Sequence, residues 1–206
     1  MTRRSGTFSY TQAEMALELE EAAAASHGEE RLDLLAHAAK HWAEDDEHAR
    51  ALTLFTEVIE SRREYPELDW ALPAYAYSLF AVGRTEEAWA AVDAAEAHAR
   101  ARHSSAAHQR LADYLDSAGQ LERAERNYTA ALDLLLDGGD REPAVTRHPR
   151  ETSPVARIRT DRRRLREQLG LPRDEHDLAA ERELAAEQPA SRRTLRDRLR
   201  GMRSTT

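Results

Sequence analysis

By residue type and spacing, the side chains best placed to do chemistry are His37, His41, Asp45 and His48, which stand four, four and three positions apart. On a continuous helix that spacing lines one face, where imidazoles and a carboxylate could converge on a metal ion. Two features oppose it. His37-x-x-x-His41 lacks the glutamate of the zincin motif, and the acidic corner Glu44-Asp45-Asp46 ends the helix before His48 comes into line. These histidines are therefore expected at the surface, and so are His98, His103 and His108, which straddle a predicted turn. The acidic clusters at positions 14–21, 44–47 and 86–87 read as solvated faces and first-turn carboxylates that the helix dipole favours. Acid–base chemistry would need them in a desolvated cleft, which no pattern here predicts. The chain has no cysteine, so disulfides and thiolate metal sites are excluded. Phosphate loops, nucleophile elbows and dinucleotide fingerprints are missing as well. The expectation is a non-enzymatic protein with no catalytic residues, cofactor or metal.

The second concentration of chemistry is cationic. Arg157, Arg159, Arg162, Arg163, Arg164 and Arg166 surround a narrow apolar stripe of Val155, Ile158, Leu165 and Leu169. The net charge of −8 hides a division along the chain. Residues 1–140 hold 13 Arg/Lys against 27 Asp/Glu, net −14, and residues 141–206 hold 17 Arg against 11 Asp/Glu, net +6. One reading is that this basic helix folds back onto the acidic body and docks through its stripe, capping the body or inhibiting it. Burying an aliphatic side chain contributes about 1.5–3 kcal/mol, more than the roughly 0–1 kcal/mol of an exposed ion pair. Packing would then decide docking, and charge would select the face. The alternative is nucleic-acid binding, in which the same arginines neutralise phosphates. That alternative has no base-reading motif behind it, the tail has no aromatic residue, and the acidic body would repel a polyanion.

The elements that must position these groups are helical. Two Ala/Leu-rich segments break at Gly83 and Gly119, a period of 36 between positions 72 and 136. Aligned on those breaks, Ala88 falls on Ala124, Val92 on Tyr128, Ala95 on Ala131, and Tyr75 and Leu79 on Leu111 and Leu115. A third, weaker copy lies upstream, where Asp46 stands in the place of the two glycines and Ala51 precedes Ala88 by 37. Such a period marks hairpins that bury their apolar faces only against neighbouring hairpins. Thr11-Gln-Ala-Glu14 is a capping box opening a helix to about Ala25, with Met15, Leu19 and Ala22 on one face and Gly28 at its C-terminal end. Helices follow at about 29–43 and 47–63. The first is set inward by Leu32, Leu35, Ala38, Ala39 and Trp42, the second by Ala51, Phe55, Val58 and Ile59. Tyr65-Pro66 makes a break, after which Asp69 caps a helix carrying Pro73 in its first turn. Residues 1–10 are expected to form a mobile arm and 137–153 a linker. Ser153 then caps a helix at 155–169 with Pro154 at its first position. Asp174 caps another at 175–187, and a short one spans 192–200.

The hairpin unit resembles the tetratricopeptide repeat over about residues 32–136. Ala76, Gly83, Ala88, Val92 and Ala95 match one copy. Ala112, Gly119, Ala124, Tyr128 and Ala131 match the next, and Ala39, Ala51 and Phe55, with Trp42 as the aromatic, match the first. The Trp that opens the family's pattern is replaced by Leu35, Leu72 and His108, and its closing Pro is absent. Residues 162–177 also resemble a segment that follows helical repeats in some bacterial proteins with a cysteine-rich zinc motif, and without cysteine no zinc function carries over. The resemblance to the repeat family implies that the first helix of each hairpin lines a concave face. That face would offer Asp33, Ala36 and Lys40, then Trp70, Tyr77 and Phe80, then Gln109, Asp113 and Asp116. Half-exposed aromatics are the usual anchors of peptide binding. The family's clamp for a peptide carboxylate needs Lys/Arg and Asn at groove positions held here mostly by Asp and Ala, so a basic partner segment is expected instead.

The fold expected is all-α: an α-solenoid of about three such hairpins over 11–136, with an extra N-terminal helix and a basic helical tail at 154–206. The function expected is a protein-interaction scaffold or adaptor that binds a protein or peptide partner. No stretch approaches the roughly 20 apolar residues that span a bilayer, and Met1–Gly6 opens no secretory signal, so a cytoplasmic location is expected.

Overall fold

The computed structural model describes residues 11–61, 68–138 and 153–187. They form nine α-helices and no strand: α1 Gln12–Ala25, α2 Gly28–Glu44, α3 His48–Ser61, α4 Leu68–Ala81, α5 Thr85–Arg102, α6 Ser105–Ser117, α7 Leu121–Leu136, α8 Pro154–Gln168 and α9 Glu175–Glu187. The arm at 1–10, the break at Tyr65-Pro66, most of the expected linker and the helix expected at 192–200 lie outside the described residues.

Local chemistry sets most boundaries. Thr11 and Glu14 close the expected capping box, the Thr hydroxyl accepting from the Glu14 amide and the Glu14 carboxylate from the Thr11 amide. The turns α2–α3, α4–α5 and α6–α7 share one backbone solution. Asp46 (φ +61°), Gly83 (φ +79°) and Gly119 (φ +73°) are left-handed, and the following amide bonds back to the carbonyl five residues earlier. The pairs are Glu47 to Trp42, Arg84 to Leu79 and Gln120 to Leu115, at 2.8–2.9 Å.

Each helix packs on its successor, and α4 also packs on α2 and on α6. Alanine makes these approaches close. Ala39, Ala51, Ala71 and Ala74 surround Phe55 and Trp42 in one core, while Leu79, Leu111, Leu115, Tyr128 and Leu132 form the centre of the other. Ile158 and Leu165 of α8 belong to that second core.

Several local expectations need correction. α1 buries Ala16 and Ala23 while Ala22 is exposed, a face rotated by one residue from the one expected. Asp69 is not a cap: α4 already begins at Leu68, and the buried Asp69 carboxylate meets His98 Nε2 at 2.7 Å and Arg102 Nε at 3.6 Å. Pro73 consequently sits inside the helix rather than in its first turn, where its missing N–H costs an intrahelical bond. Ser153 occupies the N-cap of α8, but its side chain makes no capping bond. Asp174 does cap α9, accepting from the amides of His176 (3.1 Å) and Asp177 (3.2 Å).

Candidate functional site

The sequence placed its binding residues on α2, α4 and α6, and the packing distributes them unevenly. Ala36 is fully buried and presents nothing. Lys40 Nζ lies 3.3 Å from Glu44, one turn along α2. The half-buried Trp70 takes the edge of His37 at 5.1 Å between ring centres. Tyr77 lies between His48 (5.4 Å) and Tyr114 (5.7 Å), while Phe80 turns to Trp89 of its own hairpin (5.0 Å). The three aromatics therefore do not form one row. Tyr77 and Phe80 border, with Pro73, Leu111, Tyr114 and Leu115, a crevice between α4 and α6 that has no room for a water molecule. Tyr114 was not singled out from the sequence. Burial, followed by the nearby Glu44 carboxylate, pushes its phenol up to about 12, so it remains a hydrogen-bond donor at neutral pH.

Gln109 is half-buried on α6. Asp113 accepts from the Tyr128 hydroxyl at 2.5 Å and lies 3.6 Å from Arg157. Burial raises the Asp113 carboxyl although the Tyr128 hydrogen bond and Arg157 oppose it. Asp116 pairs with Arg164. The acidic groups expected to attract a basic segment are thus already satisfied within the chain.

The arginines of α8 supply that satisfaction, and Arg162 differs most from its expected role. It lies on the apolar stripe, between Ile158 and Leu165, and is only 3% exposed. Its Nε donates to Thr129 Oγ1 at 2.7 Å, its Nη1 to Asp174 at 3.1 Å, and its Nη2 lies 3.2 Å from Glu125. Arg166 joins it from the next turn, donating to Glu125 at 2.8 Å and to Asp177 at 3.1 Å. Two guanidinium groups and three carboxylates therefore meet where α7, α8 and α9 converge. The hydrogen bonds from Arg162 hold the Asp174 carboxyl well below its usual range, although burial opposes them. Arg163 faces outward to Glu167 (2.9 Å) and Glu181 (3.2 Å). Arg159 is half-buried on the same helix.

A second polar cluster ties α5, α6 and α7 together. His108, expected at solvent, is buried with its Nδ1 2.9 Å from Asn127 Oδ1. Asn127 donates to Glu96 at 3.0 Å, and Arg123 donates to the same carboxylate from Nε at 2.8 Å. Burial pushes Glu96 up, but Arg123 and Asn127 outweigh it and hold the carboxyl down at about 2. His98 is likewise held against Asp69, so of the three histidines only His103 faces solvent.

The candidate metal spacing does not converge. His37 Nδ1 lies 2.9 Å from the carbonyl of Asp33, His41 Nδ1 lies 2.5 Å from Gln12, and His48 begins the next helix. Among the described residues no three His, Cys, Asp or Glu side chains are grouped so as to hold a metal ion. No described helix is long and apolar enough to cross a membrane.

Two open grooves lie at positions that the repeat alignment makes equivalent. One of ≈ 400 Å³ is lined by Leu52, Thr53, Thr56, Val82 and Arg84, and one of ≈ 300 Å³ by Trp89, Gln120, Arg123 and Arg126. Leu52 aligns with Trp89 and Arg84 with Gln120, so each groove runs between the second helix of one hairpin and the turn of the next. Comparison with protein-family models, with curated proteins and with solved structures finds no match.

Proposed function

We propose that this chain is a non-enzymatic protein-interaction module, a short α-solenoid of three tetratricopeptide-like hairpins (α2–α3, α4–α5 and α6–α7) with α1 before them and α8 as a cap. It works in the cytoplasm as a scaffold or adaptor and binds a segment of a protein partner along α2, α4 and α6. The observation that carries this reading is the shared left-handed closure at Asp46, Gly83 and Gly119, combined with the packing of α4 on both α2 and α6. Hairpins so joined form a rigid surface that costs little to order on binding.

Contacts to the partner come from Lys40, Trp70, Tyr77, Phe80 and Gln109, with Asp113 and Asp116 at the edge that α8 covers. Pairing of Arg157, Arg162, Arg163, Arg164 and Arg166 with carboxylates favours this reading over a polyanion contact, because paired cations release few counterions. Affinity capture with the full chain, compared with Trp70→Ala and Tyr77→Ala, tests it. Specific capture that both substitutions weaken supports the reading, and a captured protein indifferent to both overturns the assigned face.

A further inference from the structure

Five of the connections between successive helices are two or three residues long. The one between α7 and α8 is not. These helices run antiparallel, since Arg162 meets Thr129 while Arg166 meets Glu125, and the start of α8 therefore lies beside the end of α7. A short turn would join such ends, yet positions 137–153 separate them. A connection of that length is uncommon in a compact chain.

The contact made by α8 is also unlike a permanent cover. Ile158 and Leu165 are fully buried against the core, but the stripe position between them is the charged Arg162, seated on Thr129 and Glu125. Desolvating such groups offsets most of their attraction, and well-packed apolar residues in place of the whole ionic cluster, carboxylates included, would hold the helix about as well. A matched ionic centre instead selects the partner and its register.

We propose that the face of α7 and the edge of α6 beneath α8 form a reversible helix-binding site. It accepts, from a partner chain, an amphipathic helix with arginine between two aliphatic residues in the spacing of Ile158, Arg162 and Leu165. α8 is the tethered occupant that this partner displaces. The incoming aliphatic side chains take the places of Ile158 and Leu165, the guanidinium takes Glu125 and Thr129, and outer cations meet Asp113 and Asp116 as Arg157 and Arg164 do. The tether holds α8 at an effective concentration on the order of millimolar, so only a helix that binds more tightly than α8 displaces it. This site shares Asp113 and Asp116 with the edge of the concave face, but its centre at Thr129 and Glu125 lies on α7 and does not rest on that reading.

The test uses a fluorescent peptide of residues 153–187 added to the full-length protein. Its binding is compared for wild type and for Ile158→Asp/Leu165→Asp, whose own α8 cannot seat. Arg157→Asp/Arg164→Asp, which alters only the rim, serves if the first variant does not fold. The variants are expected to bind the peptide at least about tenfold more tightly than wild type, and the Arg162→Met peptide to bind at least about tenfold more weakly. A folded variant that binds no peptide overturns the proposal, as does equal affinity for wild type and variants, or indifference to Arg162→Met. Sedimentation of the wild-type chain alone at the same concentrations is expected to show monomer. A dimer would make a second copy the occupant and overturn the assignment to a partner chain.

Discussion

Asp46 holds a left-handed backbone where the two equivalent turns use glycine, and a side chain in that region costs roughly 1–2 kcal/mol, less for Asp than for most residues. Asp46→Gly is therefore expected to raise stability by about 0.5–1 kcal/mol, and Gly119→Ala to lower it by about 1–2 kcal/mol, read as denaturant midpoints. No atom lies within 4 Å of a Cβ added at Gly119, so that loss would come from the backbone conformation and not from a clash. Glu96 makes a pH prediction. Its folded pKa of about 2 lies below the roughly 4.3 of an unfolded Glu. Its contribution is then complete above the unfolded value and is lost as pH falls from about 5 towards 2. Asp174, also lowered, adds the same sign, while Asp113 and Asp161, raised by burial, act in the opposite direction. Glu96→Gln is expected to flatten the acid limb of a stability–pH curve between about pH 5 and 2, with little further effect below about pH 2. At this scale the sequence was legible where a residue acts on its own backbone, as at Thr11, Asp46 and Asp174. It was not legible at His108 or Arg162. A turn-flanking histidine and a helix arginine both look solvated until Asn127 and Glu125 arrive from other helices.

At the scale of the element, α8 separates packing from charge. Leu165→Ala is expected to cost about 2–4 kcal/mol, because it empties a fully buried site. Arg164→Ala removes a half-exposed pair and is expected to cost no more than about 1 kcal/mol. Arg162→Ala leaves Glu125 and Asp177 buried with one fewer cation and should approach about 3–5 kcal/mol. Thermal or urea unfolding of the three variants orders them, and Arg164 costing as much as Leu165 would refute the ranking. Helix extents were legible from caps, glycines and apolar spacing, and α9 starts at Glu175 behind the Asp174 cap, as expected. Register around a helix was less so. In α1 alanine covers more than one face, so composition does not say which face turns inward, and contact with α2 selects Ala16 and Ala23.

For the whole molecule, ending the chain after residue 140 removes Ile158 and Leu165 from the second core. With two side chains at about 1.5–3 kcal/mol each, the melting temperature is expected to fall by roughly 10 °C or more. An unchanged transition would mean that α8 contributes nothing to the folded body. A gel-shift assay with duplex and single-stranded probes at low salt is expected to show no specific complex, since the arginines that would meet phosphate are held by carboxylates.

The amino-acid sequence alone determined that the chain is helical, where its turns fall, and that three of those turns are equivalent. These properties depend on neighbours within four or five positions, through hydrogen bonds and backbone sterics. Tertiary structure alone decided which polar groups are buried together, that Trp70, Tyr77 and Phe80 each meet a different ring and form no single row, and that the central arginine of α8 seats on α7. Each of those outcomes joins residues far apart in the chain, where periodicity carries no information about which faces meet.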